Sequence, residues 1–572
     1  MAADGLDFGR VVHFVTLVNK IDVDKWRHGL YCFSMSLKPL ASQRSFYHTD
    51  YLCGDLFGPA NRYRLFREKI WPRLLELAPK LEALYCAENG RPPIDPVLLC
   101  GVTLLQFMEK VADRGASEHV VYHLGWKYAL DLALDDDGFH ATVLVYFRDR
   151  LEENQAERMI FDGIVKLLVE LGLVKKKGKQ RLDSTHIVGY VKAMSLLECA
   201  METLRLALED LEQEVGRKKR PAFWDRQWEL YVESKLDWRL GKTERDRRYR
   251  QCGQDTRELL EWLDRNDPKL TEREAVKLLR RVFGEQFEMI EGKPEPLTQR
   301  PSRAVQNPHD PDAHYADKRT KQWIGYKVHV TETVDPQQPI KTKGEPAEHF
   351  ITEILTTEAA QNEMAGLTEV LKREKQHHEI TPQAIYTDAG YVTEKTLIQA
   401  EQNGMELLGP TRPDPHKGPY NTDGFHVDID KRQAVCPQGN LSTQCSRIKD
   451  NYQGTEYYRI EWGSQCDGCP VQKQCTRSKS GRRTLVVGLR HDLVEQRRKE
   501  MKQRGFSKSM HPRNGIEGTH SELVRGHAMR RTKYRGLSRV GLSNYFMGAA
   551  CNVKRYLNLL AFQMRTPALS PA

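Results

Sequence analysis

No run of 18 or more residues in this 572-residue chain is free of charged side chains, so no transmembrane helix is expected. The opening decapeptide MAADGLDFGR has no basic region followed by an apolar stretch, so no secretory signal is expected and cytoplasmic residence is the default. Cysteine is sparse and mostly scattered: twelve residues in a chain without an export signal argue against a disulfide framework. An excess of one charge sign is also small. Lys plus Arg is 88 and Asp plus Glu is 78, a net of +10, which is compatible with nucleic-acid binding without establishing it. No internal repeat is found, which sets solenoid architectures aside.

The length is enough for two to four domains with a large core. An apolar fraction of 39% and a mean hydropathy of −0.63 fit a soluble, charge-rich protein. Positive charge is concentrated near the end: from Lys502 to Arg539 there are ten Lys or Arg and only two acidic residues, Glu517 and Glu522. Such a run is either a solvated helix face or a surface for an anion.

Residues 1–60 are irregular. Residues 61–175 read as helices: Leu74, Leu75, Leu77, Leu81 and Leu84 keep one face apolar, and Pro93 and Pro96 mark the start of a buried helix. Short helices with tight turns fit a helix-turn-helix-like DNA module and a purely structural domain equally well. A basic turn and a strand starting near Arg181 occupy 176–190. Residues 191–300 are helical and highly charged, with Trp224, Trp228 and Trp238 along them, and read as an insertion. Strands and helices then alternate through 301–545, so an α/β or α+β core begins near residue 178. Within it, 410–480 is a Gly-, Pro- and Cys-rich insertion. Residues 546–572 read as a C-terminal tail.

Three acidic residues sit at telling places. Asp183 lies in the strand RLDSTHI, Asp388 ends the apolar run of AIYTDAGY, and Glu517 lies near the start of a helix in RNGIEGTHSEL. A carboxylate at the end of a buried strand is a common active-site placement in open sheets. Convergent carboxylates offer Mg²⁺ the hard oxygen ligands it prefers, and two such ions can activate an attacking oxygen and stabilise a leaving one at a phosphodiester. Taken singly, each Asp is more readily a turn or cap residue. Lys327 and His329 alternate with Val328 along a strand. Lys327 is a candidate DNA contact, and His329 is as readily a core residue. His186 points to the face opposite Asp183 and is assigned no metal.

Five cysteines fall between Cys436 and Cys475. Cys436, Cys466, Cys469 and Cys475 could hold a structural Zn²⁺ tetrahedrally in a segment poor in apolar residues. Cys445 could replace one of them. Free thiols and a redox-active Cys-x-x-Cys are the alternatives.

The motifs RLDST, IYTDAGY and RNGIEGTHSELVRGHAMRRTKYRG resemble the three catalytic motifs of DDE transposases of insertion sequences related to IS4 and IS5, and IS1182 especially. WIGYKVHV, the Asp310–Ala313 segment DPDA and the helical stretch 61–140 extend the resemblance over roughly 60–545. The Cys-rich stretch is similar to an insertion in transposases close to that family. The resemblance implies an RNase H-like catalytic core at 176–190 and 301–545, interrupted by the helical and Cys-rich insertions and preceded by an all-α DNA-binding domain. Asp183 would lie on the first core strand, Asp388 just after the fourth and Glu517 on a following helix, holding Mg²⁺ or Mn²⁺. The implied activity is cut-and-paste transposition: binding of terminal inverted repeats, cleavage of the DNA end and strand transfer to target DNA, by at least a dimer, at the nucleoid of a bacterial-type host and without a membrane partner. The family's last motif often reads Tyr, two residues, Arg, three residues, Glu, six residues, Lys. Arg513 and Glu517 keep their spacing, but Met510 holds the Tyr position and Val524 the Lys position, with Arg525 one place later. Glu522 is the fallback third ligand. Arg513, Arg525, Arg530, Arg531, Lys533 and Arg535 would meet the DNA backbone and supply salt-dependent affinity. An RNase H-like nuclease without strand transfer and a non-catalytic DNA-binding derivative are the competing functions.

Overall fold

The structure is a computed structural model describing residues 46–85, 93–216, 219–234, 239–318, 320–337, 345–414, 420–450 and 455–566. Most of the expected irregular segment 1–60, Trp238 and the last six positions lie outside the described residues. The chain forms two compact units, residues 1–103 with 112–155, and residues 104–111 with 156–572. Among the described residues no helix is long and apolar enough to cross a membrane.

The first unit is built of short helices. Asn61 caps Arg62–Leu65 through a 2.9 Å bond from Tyr63 N, and further helices include Asp113–Tyr122, Leu124–Ala129 and Thr142–Glu153. A long helix starts at Pro96, where a missing N–H costs nothing, and Asp95 accepts from Val97 N at 2.7 Å. Leu65, Phe66, Trp126, Leu144 and Phe147 are buried in this unit.

The second unit opens with helix α1 (Met159–Glu170) and strand β1 (Lys179–Val188). The helical region at 191–300 comprises α2 (Leu196–Glu212), α3 (Lys242–Asn266) and α4 (Glu274–Gln286), and it ends in a strand hairpin, Phe287–Ile290 with Lys293–Pro296. A Ser195–Glu198 capping box starts α2, and the bundle buries its own core, with Trp224 inside and Trp228 against it. The core strands follow: β2 (His314–Lys318), β3 (Lys321–Val334) and β4 (Ile351–Glu358). Then come α5 (Glu363–His378), β5 (Ala384–Tyr386), α6 (Glu394–Gln402) and β6 (Glu406–Leu408).

These six strands make one mixed sheet, ordered β2-β3-β1-β5-β6, with β4 also paired to the long β3. β1 is antiparallel to β3 and parallel to β5, and β5 is parallel to β6. On one face, Leu182 packs with Leu367 and Val370 of α5. The chain continues through a Cys-rich subdomain with β7 (His426–Asp428), β8 (Gln433–Val435), β9 (Gln444–Lys449), β10 (Glu456–Glu461) and β11 (Thr484–Gly488). Helices α7 (His491–Met501), α8 (His511–Gly526) and α9 (Leu537–Arg565) complete it.

The expected tail at 546–572 requires correction: α9 runs unbroken to Arg565, and its residues are largely buried as far as Leu559. Asn552 donates to Ile351 O and accepts from Ile351 N, both at 2.8 Å, satisfying the backbone of β4. The segment lacks the charge density of a surface helix because it is core.

Candidate active site

Side chains alternate along a strand, so Arg181, Asp183 and Thr185 share one face of β1 while Leu182 and Ser184 take the other. In the parallel pairing of β1 and β5, Arg181 stands opposite Tyr386. Two residues beyond this pair lie Asp183, still on β1, and Asp388, near enough for its charge to act on Asp183. Asp388 lies in the turn leaving β5, where its Oδ1 accepts from Gly390 N at 2.8 Å. A methyl group at Gly390 would stand 3.0 Å from Asp388 Oδ1 and 3.3 Å from Glu363 Cγ, so glycine lets the turn pass between two carboxylates. The turn then buries Tyr391, whose hydroxyl meets His329 Nδ1 at 2.8 Å behind the sheet.

Asp183 is 9% exposed. Burial, reinforced by the nearby charge of Asp388, pushes its carboxyl up to about 6, against the pull of Arg513 and of a 2.7 Å bond from Ser184 N. The Arg513 contact runs from Nη2 to Asp183 Oδ2 at 3.2 Å. Arg513 belongs to α8, and Glu517 follows it by one helical turn, exposed to solvent. Ile516, Thr519 and Leu523 form the buried side of α8. Close approach is possible because Gly515 faces Arg181: a methyl group there would fall 1.9 Å from Arg181 Nη1.

Beneath the acidic pair lies a buried anchor that sequence spacing does not reveal. Glu332 accepts from Arg181 Nε at 2.6 Å, Thr519 Oγ1 at 2.6 Å and Arg555 Nη1 at 2.9 Å. It ties β1, β3, α8 and α9 together under Asp183. Glu363, beside Asp388, is the other acidic residue the sequence reading missed; its only local signal is Asn362 capping α5.

The predicted basic contacts divide into two groups. Lys327 is largely engaged, its Nζ 2.6 Å from Gln361 O and 3.4 Å from Glu363 Oε1, with the side chain 13% exposed. Its register on β3 explains this, since that face looks onto the start of α5. Arg530 donates to Thr185 Oγ1 at 3.2 Å and to His186 O at 2.6 Å, and Thr532 N donates to Val188 O, fixing the basic segment at the far end of β1. Arg525, Arg531, Lys533 and Arg535 are exposed, and Arg535 lies over the Tyr190 ring. His329 is fully buried, and His186 packs on Trp323.

The fallback ligand Glu522 belongs to a different cluster. Glu522, His527 and Cys551 each offer a ligand atom, all within 4.8 Å of one another, and form a potential metal-coordinating group. Asp183, Asp388 and Glu517 do not form a group that tight. Burial drives the His527 imidazole down to about 4, so it is neutral, and its Nε2 is buried without a hydrogen-bond partner. Arg555 Nε and Nη2 already occupy Glu522 Oε2, at 3.0 and 2.9 Å, and this buried guanidinium opposes a second cation.

The four predicted cysteine ligands line one pocket with Trp462, and Cys445 is not among its lining residues.

Residues 435–557 match the family model described as a transposase DDE domain, and residues 53–150 match that of a transposase domain (DUF772). The chain carries transposase-family domains. The first match includes Cys436, Cys466, Cys469 and Cys475, α8 with Glu517, and the basic segment, while Asp183 and Asp388 lie before it. No curated protein and no solved structure matches the chain.

Proposed function

We propose that this chain is a DNA transposase of the IS1182-like group, in which Asp183, Asp388 and Glu517 hold divalent metal for DNA end cleavage and strand transfer. The observation that supports the reading is that Asp183 on β1 feels the charge of Asp388, in the turn leaving the adjacent parallel strand β5, with Arg513 reaching Asp183 one helical turn before Glu517. The strand order, with β4, β3 and β1 antiparallel and β5 and β6 parallel beside them, supports an RNase H-like core carrying β2 as an addition.

The donor set fits Mg²⁺ or Mn²⁺: the carboxylates are hard oxygen ligands, and two of them are close enough to repel. Bound metal would lower the cost of charge developing on the phosphate and sharpen the attacking oxygen. Asp183, Asp388 and, from α8, Glu517 would hold the metal. Arg513 orients Asp183 and offers its guanidinium to a phosphate. Arg525, Arg531, Lys533 and Arg535 would track the backbone of double-stranded DNA, both the element's terminal inverted repeats and the target. Hydrolysis would free a 3′-OH at the element end, which then attacks a target phosphodiester. Handling two ends together calls for at least a dimer. The helical first unit would contribute DNA binding.

The test is cleavage and joining of labelled DNA carrying the element ends in Mg²⁺, comparing wild type with Asp388→Asn. Metal-dependent cutting and joining that the variant loses while still binding DNA is the expected result. Cutting without joining would point to a nuclease. Equal cutting by the variant would remove Asp388 from the site.

A further inference from the structure

The subdomain that begins near Tyr420 and ends with β11 has little to hold it together. Its core is a small group around Phe425, Ile460, Trp462 and Leu485, on short strands with much of their surface exposed. A fold with so little apolar burial needs a cross-link. Cys436, Cys466, Cys469 and Cys475 come from three separate stretches of chain and line one pocket floored by Trp462 and Phe425. All four are free thiols.

The backbone beneath them is held by tight turns. At Cys436 the chain turns tightly, with Gly439 N bonded to Cys436 O at 2.8 Å and Gly439 at φ +82°. A second turn at Cys466 places Gly468 at φ +74° and brings Cys469 N to Cys466 O at 3.3 Å. Both turns need a left-handed residue, and glycine supplies it. Arg483 Nη1 donates to Cys475 O at 3.2 Å from the start of β11, so the third stretch is tied to the sheet.

We propose that Cys436, Cys466, Cys469 and Cys475 bind one structural zinc ion that clasps the Cys-rich subdomain. Four thiolates are soft donors that select zinc over magnesium. No three of these sulfurs lie within 4.8 Å of one another. A tetrahedral site with bonds of about 2.3 Å holds its sulfurs about 3.8 Å apart. Binding therefore draws the thiols inward by side-chain rotation while the two turns keep their form. Cys445, on β9 and away from the pocket lining, takes no part.

Zinc content of the full chain, purified without chelator, tests this. About one zinc per chain is expected in wild type, and it should be retained in Cys445→Ser and Cys551→Ala but lost in Cys466→Ser and Cys469→Ser. Cobalt replacing zinc should show the strong charge-transfer bands of a tetrahedral thiolate centre, a readout that does not depend on DNA cleavage and survives a failure of the transposase reading. Wild type that neither retains zinc nor takes up cobalt would overturn the proposal. So would zinc that leaves with Cys551→Ala, or a chain mass two hydrogens lighter per cysteine pair.

Discussion

Two buried carboxylates stand near each other on adjoining strands and have opposite fates. Glu332 on β3 pairs in register with Arg181 of β1, and two residues along β1 is Asp183. Burial alone would raise the Glu332 carboxyl, but the positive field of His349, Arg555 and Arg181 and the Thr519 hydroxyl outweigh it and hold it at about 2. Asp183 has one guanidinium at 3.2 Å and an acidic neighbour, and sits at about 6. A buried charge whose lone pairs are all satisfied is part of the scaffold. A buried charge left short of partners, beside another of the same sign, is a place where a cation belongs.

The largest effect should separate the two by chemistry. Asp388→Asn or Asp183→Asn is expected to lower metal-dependent cleavage by about 10³-fold or more, since metal-centred charge stabilisation is worth several kcal/mol. Thermal unfolding of the same variants should be unchanged or slightly higher, because a repulsion is removed. Unfolding well below wild type would make the pair structural. Glu332→Gln should do the reverse. It leaves the buried Arg181 and Arg555 guanidiniums short of a counter-charge and is expected to cost about 3–5 kcal/mol in denaturant unfolding.

Next in size is Thr519→Val, which removes a 2.6 Å bond to the Glu332 carboxylate and should cost about 1.5–3 kcal/mol by the same measurement. The pH dependence of stability carries two contributions of opposite sign. Glu332 is depressed, so its contribution is complete above about 4.5 and is lost as pH falls from there through about 2. Glu374, buried under Gln180 and Thr352, is raised to about 8 by burial, with Glu353 adding to the rise. The folded chain then keeps a proton that the unfolded chain gives up, so stability declines as pH rises from about 4.5 to about 8. Glu374→Gln should flatten that decline, measured as the unfolding midpoint between pH 5 and 8. An unchanged slope would mean that Glu374 is ionised in the fold.

Much of the sheet could be read from the sequence because strand periodicity is local. The run through Asp183 and the apolar triplet before Asp388 lie where pattern and turn residues place them, whereas the helix carrying Glu517 begins earlier than read, at His511, so Glu517 sits in its middle. Lys327 was legible as a strand residue, but its engagement with Gln361 and Glu363 was not, since the partners arrive from the next helix. The reading of 546–565 as part of a tail gives way to a helix for a similar reason. A helix buried on nearly all sides loses the one-sided apolar stripe that marks an amphipathic helix, and Asn552 and Arg555 look like surface residues until β4 and Glu332 supply their partners.

Sequence by itself determined the kinds of element and the strand end at which Asp388 sits, because backbone preference and side-chain alternation act over a few residues. Only the tertiary structure decided that Asp183 feels the charge of Asp388, that Arg513 reaches Asp183, and that Glu522 joins His527 and Cys551 instead. Those groups lie up to hundreds of residues apart along the chain, and their pairing depends on strand register and helix packing, which minimise the free energy of the whole sheet and not of any one segment.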